Sequence, residues 1–319
     1  MVPVPTESLP PPAVFEALDV RPADVTRLPW RRPIWRIRGF SNTAVLHCYD
    51  ASRCLEDVHW EHQFLTTLET RFPAPRPMAL LDGASAAVIE NRLYATVSFI
   101  PGRLMGWDTQ PPLESAGRFM AAYHEAAAGT DAAGPGPSIP RLEELPGAVP
   151  WSRLASCLGG PEGVRRYRHH LDQAFAGLGS SLQPGQDAVV IHGDLTTLNV
   201  IVDGDPPHCR GLIDFAMAHR ANPLADLGYG LWQAGRARFH DIGLDPARVA
   251  RWVAGYHAGR RLEEQAAAQL PFFLQARGCQ LIARWAARHE RDLTLTLHRL
   301  DAIAALRERL CDSVQGALQ

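Results

Sequence analysis

Most of the chemistry in this chain is concentrated between Val189 and Leu227, which reads VVIHGDLTTLNVIVDGDPPHCRGLIDFAMAHRANPLADL. An apolar β-branched run, Val189 to Ile191, delivers His192-Gly193-Asp194, and Asn199 follows five residues after the aspartate. A second run (Val200 to Val202), a polar turn (Asp203 to Pro207) and a third run ending in Leu212-Ile213 deliver Asp214-Phe215. The pattern reads as strand, polar loop, hairpin, and a carboxylate at a strand end. Asp194 is placed to accept a hydroxyl proton, while Asn199 and Asp214 offer the hard oxygen ligands that Mg²⁺ takes. An H-x-D-x-x-x-x-N loop with a downstream D-F pair is the constellation of phosphoryl transfer. That chemistry needs metal to offset phosphate charge and a carboxylate to orient the attacking oxygen, with little covalent help. Either half alone reads equally well as Asp and Asn capping turns. Both together, in order, with strand-like runs between them, point to a kinase.

The chain resembles the aminoglycoside phosphotransferase-like kinases, a family that also takes in choline kinases and type II homoserine kinases. HGDLTTLN is similar to their catalytic loop, with Gly193 where protein kinases carry arginine; GLIDF is similar to their metal-binding segment, and NPLADLG to the Asp-Leu that follows it. The resemblance spans most of the chain. It implies Asp194 as the base, Asn199 and Asp214 as Mg²⁺ ligands, and His192 and Asp226 bracing the loop. It also implies an α+β, two-lobed protein-kinase-like fold: residues 1–100 as a small antiparallel β N-lobe, residues 101–319 as a large, mainly helical C-lobe. ATP or GTP would be the donor and a hydroxyl on a small molecule the acceptor. An antibiotic or related natural product leads, with a sugar, amino alcohol or homoserine as alternatives.

The elements that must hold these residues are legible in part. Residues 1–28 read as a Pro-rich arm with one helical pattern near Val14 to Leu18. Pro33 to Phe40 alternates as a strand, 39–42 reads as a turn, and Thr43 to Tyr49 as the next strand. Leu55 to Thr70 is a helix whose stripe Val58, Glu61, Leu65, Leu68 turns Glu61 inward. Arg92 to Ile100 is a strong strand ended by Pro101-Gly102, and the N-lobe counts five strands and one helix. By resemblance this strand runs into a hinge where Ser98 to Ile100 meet the adenine edge. Leu113 to Ala128 is helical, with His124 read as a structural histidine, and 129–150 reads as a Gly- and Pro-rich loop. Val164 to Leu178 is helical, and after the core stretch the chain is helical to its end: 226–234, 246–258, 262–277, 279–289 and 293–310.

The 319-residue chain contains no lysine; all 32 basic side chains are arginine. The family's strand lysine, which grips the α/β-phosphates and a helix glutamate, falls at His47. A buried Glu61 needs a cation, and His47 if protonated, Arg36 or Arg38 are the candidates. With a neutral histidine there, the alternative is a catalytically weak or inactive nucleotide- or small-molecule-binding module.

A net charge of −2 gives no basic stripe for nucleic acid. No apolar run reaches membrane-spanning length, and the start lacks a secretory pattern. Six cysteines without C-x-x-C spacing fit reduced thiols in a cytoplasmic protein. From Arg236 onward arginines outnumber acids 13 to 9, which disfavours a polycationic acceptor.

Overall fold

The computed structural model describes residues 9–19, 21, 24–28, 33–38, 43–49, 53–80, 82–106, 112–130, 141–182, 188–238, 240–288 and 292–319. The expected turn at 39–42, and 131–140 of the Gly- and Pro-rich stretch, lie outside them. The chain forms two compact units, residues 1–101 with 211–216, and residues 102–210 with 217–319. Residues 211–216 are grouped with the first unit.

In the first unit, α1 (Pro12–Leu18) precedes β1 (Val25–Arg27), β2 (Ile34–Ile37), β3 (Ala44–Cys48), α2 (Leu55–Leu68), β4 (Pro77–Met78), β5 (Ala86–Ile89) and β6 (Arg92–Ser98). The strands form one antiparallel sheet in the order β1-β2-β3-β6-β4, with β5 also paired to β6. Among the described residues, six strands and two helices thus replace the expected five and one. The Pro-rich arm supplies the additions, because Val14, Phe15 and Leu18 of α1 are apolar enough to cover a face of the sheet. They pack with Trp35, Ile37, Leu46 and Tyr94, while the other face lays Leu93 and Ala95 against Val58 of α2. The α2 stripe is as expected: Val58, Glu61, Leu65 and Leu68 are all buried. Burying each of its apolar members stabilises by roughly 1.5–3 kcal/mol.

The second unit adds β7 (Arg103–Leu104), α3 (Leu113–Ala127), α4 (Leu145–Ala148), α5 (Trp151–Cys157), α6 (Pro161–Leu178), β8 (Val189–Ile191), β9 (Val200–Asp203), β10 (His208–Leu212, whose last two residues are grouped with the first unit) and β11 (His219–Ala221). It closes with α7 (Pro223–Ala234), α8 (Pro246–Gly259), α9 (Glu264–Ala268), α10 (Leu270–Ala287), α11 (Thr294–Ala305) and α12 (Arg307–Gly316). β8 pairs antiparallel with β11, and β9 lies between β10 and β7.

Two helix expectations are corrected. The break expected near Gly278 is absent, and α10 runs through it. A Cβ there would come within 2.5 Å of Leu300 and 2.6 Å of Trp232, so this glycine serves close packing. The last helix, expected as one, is divided at Leu306 into α11 and α12.

Among the described residues no helix is long and apolar enough to cross a membrane. All six cysteines are free thiols.

Candidate active site

The residues of the HGDLTTLN loop are set by short local rules. Val189, Val190 and Ile191 are buried, and β8 is fixed on one side by β11 in the register Ile191↔His219. On the other side the Tyr123 hydroxyl donates to the Val190 carbonyl at 2.8 Å. Gly193 then turns the chain at φ +75°, where a Cβ would sit 2.1 Å from the Met217 carbonyl oxygen. Only glycine fits that conformation and that approach.

Asp226 braces the turn, as the resemblance implies. Asn222 caps α7 by accepting the Leu224 N–H, Pro223 opens the helix, and Asp226 lies in the first turn. Its carboxylate accepts the His192 N–H at 2.5 Å and the Gly193 N–H at 2.9 Å. Burial by itself would raise this carboxyl. The hydrogen bond from His124 and the bond from the His192 backbone N–H outweigh it, and the pKa is lowered. His124, read from sequence as structural, therefore joins the brace. Its Nε2 lies 3.3 Å from Asp226 Oδ2 and its Nδ1 2.8 Å from the Tyr256 hydroxyl. Fully buried His192 accepts the Asp194 N–H on Nδ1 at 3.3 Å, a loop-shaping contact.

Asn199 donates its amide Nδ2 to the Asp194 carbonyl at 2.8 Å. Fixing the nitrogen inward commits the amide oxygen to the opposite direction, which fits a hard cation. Asp194 itself carries an unanticipated partner: Arg277 Nη2 donates to its Oδ1 at 2.6 Å. Arg277 sits mid-helix on α10 among arginines that read as surface charge, so no sequence signal marked it. Among the described residues no three His, Cys, Asp or Glu side chains form a metal-binding group.

Asp214 is described within the first unit. Its segment is anchored there: the Leu212 N–H donates to the Pro73 carbonyl at 3.2 Å, and Phe215 lies 6.1 Å from the Phe64 ring of α2. Asp214 takes φ +66°, the left-handed region that aspartate tolerates better than most side chains.

Glu61 meets a cation that the sequence reading did not name. Arg53, from the loop before α2, places Nη2 2.7 Å from Glu61 Oε2 and donates Nη1 to the Ala216 carbonyl at 2.5 Å. One guanidinium thus ties the α2 glutamate to the residue two past Asp214, with both side chains about nine-tenths buried. His47 is half-buried on β3 and stacks on Tyr49 at 5.8 Å, and the Arg53 guanidinium lies 5.7 Å from the same ring. Arg38 is exposed and Arg36 half-buried.

At the expected hinge, the Ser98 N–H donates to the Arg76 carbonyl and its hydroxyl accepts the Arg76 N–H, both at 2.8 Å. The Phe99 N–H goes to the Thr43 carbonyl at 2.9 Å. These two amides are committed inside the first unit.

An antiparallel β unit with a glutamate-bearing helix, and a helical unit presenting an Asp and an Asn from a braced loop, define a protein-kinase-like enzyme. The model of the phosphotransferase enzyme family (APH) matches residues 30–273, and the chain belongs to that family, the small-molecule kinases. No curated protein matches it in sequence. Among solved structures it is similar to a microcompartment-associated aminopropanol kinase, at 21% identity over 95% of this chain and 97% of that one, with a TM-score of 0.77. An amicoumacin kinase in complex with AMP-PNP, Ca²⁺ and Ami gives 15%, 94%, 91% and 0.69. The GDP complex of aminoglycoside 2'-phosphotransferase-IIIa gives 15%, 93%, 95% and 0.61. At these identities the likeness is one of fold.

Proposed function

We propose that the chain moves the γ-phosphoryl of ATP, or of GTP, to a hydroxyl of a small molecule in the cytoplasm, with Asp194 as the base. The observation that carries this reading is the braced loop. Two backbone N–H groups held by Asp226 fix where Asp194 begins, and Asn199 fixes its carbonyl. Asp194 remains one-quarter exposed, so an acceptor hydroxyl has access to it. Asn199 and Asp214 are the residues that would hold Mg²⁺, which when bound neutralises phosphate charge. Arg53, paired to Glu61, is read as the cation in place of the strand lysine. Its pairing favours an active enzyme over the inactive module, whose motive was His47.

For the acceptor, two features weigh against a polycation: the excess of arginine over acid after residue 236, and the Arg277 guanidinium beside Asp194. The proposed acceptor is a natural product, an antibiotic first, or an amino alcohol of low positive charge. The test is transfer of labelled γ-phosphoryl from MgATP and from MgGTP to aminopropanol, amicoumacin and streptomycin. The expected result is transfer to one of the first two at a kcat/KM at least about tenfold above that for streptomycin. A preference for streptomycin overturns the acceptor reading, and transfer to none of the three with either nucleotide overturns the proposed donor–acceptor set.

A further inference from the structure

We infer that Arg277 is the positioning residue for the base, an inference that rests on Asp194 being that base. Its guanidinium is fixed from three sides. Nη2 donates to Asp194 Oδ1 at 2.6 Å, Nη1 donates to Gln280 Oε1 at 2.7 Å, and the guanidinium carbon lies 4.1 Å from the centroid of the Tyr229 ring. Arg277 is 3% exposed and Gln280 2%, so water competes little for these bonds.

The placement is economical in sequence terms. Arg277 and Gln280 are one turn apart on α10, and Tyr229 is one turn past Asp226 on α7. The helix whose first turn pins the backbone of the catalytic loop therefore also backs the guanidinium that holds the loop's carboxylate. A planar fork held at its other nitrogen and across its face has little freedom to turn, and it fixes the rotation of the carboxylate it meets. With Oδ1 engaged, Oδ2 is the oxygen left to face an incoming hydroxyl. In the step itself the acceptor oxygen bonds to the γ-phosphorus as the bond to the β,γ-bridging oxygen breaks. The nucleoside diphosphate leaves with that oxygen, and the hydroxyl proton goes to Asp194 Oδ2. A charge-balancing arginine would need neither the Gln280 bond nor the Tyr229 face; a positioning arginine needs both.

The experiment compares wild type with Arg277→Met, Arg277→Lys and Gln280→Met, using whichever of MgATP and MgGTP, and whichever of aminopropanol, amicoumacin or streptomycin, supports transfer by wild type. The expected result for Arg277→Met is a fall in kcat of about a hundredfold, with both KM values within about threefold of wild type. Arg277→Lys recovers less than about a tenth of the loss, because an ammonium lacks the fork. Gln280→Met, which leaves the Asp194 bond but frees the guanidinium, lowers kcat by about tenfold and keeps the inference testable if Arg277→Met does not fold. Unchanged kcat in a folded Arg277→Met or in Gln280→Met, or a loss carried by KM, overturns the inference while the kinase reading stands. A wild type inactive on all three acceptors with either nucleotide overturns the underlying reading instead.

Discussion

At Arg53 a guanidinium meets the glutamate of α2. Its fork spans two acceptors, Glu61 Oε2 and the Ala216 carbonyl, which a single ammonium would bridge less rigidly. Because the pair is largely buried, removing either partner strands the other. Arg53→Met is expected to lower kcat/KM for the nucleotide by about a hundredfold, Glu61→Gln by a similar factor, and the double variant by little more than either. Steady-state kinetics with varied MgATP checks this; losses that multiply in the double variant would show that the two act separately. Glu61 is legible in the sequence because a helical stripe has a period and the glutamate lies on it. Arg53 is not, since a loop residue has no period and the arginine competes with two better-placed strand arginines. Arg277 and His124 are hidden for a related reason: one charged or aromatic polar residue on a helix looks the same whether it faces water or an aspartate.

Helix contact in the second unit depends on glycines that leave no room. Gly117 of α3 would place a Cβ 2.1 Å from the Trp252 carbonyl oxygen of α8, and Gly255 of α8 would place one 2.1 Å from the Glu114 carbonyl oxygen of α3. The two backbones approach on both sides of one crossing. α3 also carries Tyr123 and His124, which reach β8 and Asp226, so this crossing sets the depth of the catalytic-loop brace. Gly255→Ala gains about 1 kcal/mol of helix propensity and loses more to overpacking, so a net destabilisation of about 1–3 kcal/mol is expected. Chemical denaturation checks it, and an unchanged or raised midpoint would contradict the close approach. The same ambiguity explains the misplaced break in the α10 region: Gly278 reads as a helix breaker when only its own segment is in view. Its reason lies in Trp232 and Leu300, which are distant in sequence.

Over the whole molecule, buried histidines set the response to acid. His62 is buried, and burial, followed by the charges of His47, His59 and Arg53, pushes its pKa down to about 4. His170 and His219 are lowered as well, chiefly by burial. A folded pKa below the unfolded one means that the unfolded chain takes up the proton first, so stability is lost as pH falls from about 6.5 towards 4. For His62 alone the full loss is about 3 kcal/mol. The lowered carboxyl of Asp226 adds a second loss at still lower pH, as it becomes protonated. Urea unfolding between pH 8 and pH 4.5 is expected to show a monotonic fall, with His62→Leu removing part of the slope. A flat profile, or one that His62→Leu leaves unchanged, would contradict it. At this scale the antiparallel β unit, the helical remainder and the loop that carries Asp194 are readable from runs and periods. The six-stranded sheet is not, because its first strand is three residues long.

The central claim is that Asp194, on its braced loop, is the base of a phosphoryl transfer. The most direct measurement is single-turnover transfer of labelled γ-phosphoryl from bound MgATP to the acceptor in wild type and Asp194→Asn. Nucleotide binding and thermal unfolding are measured alongside. The account predicts transfer in wild type and a loss of about 10³-fold or more in Asp194→Asn, with nucleotide affinity and unfolding temperature little changed. Transfer by Asp194→Asn within about tenfold of wild type would contradict it.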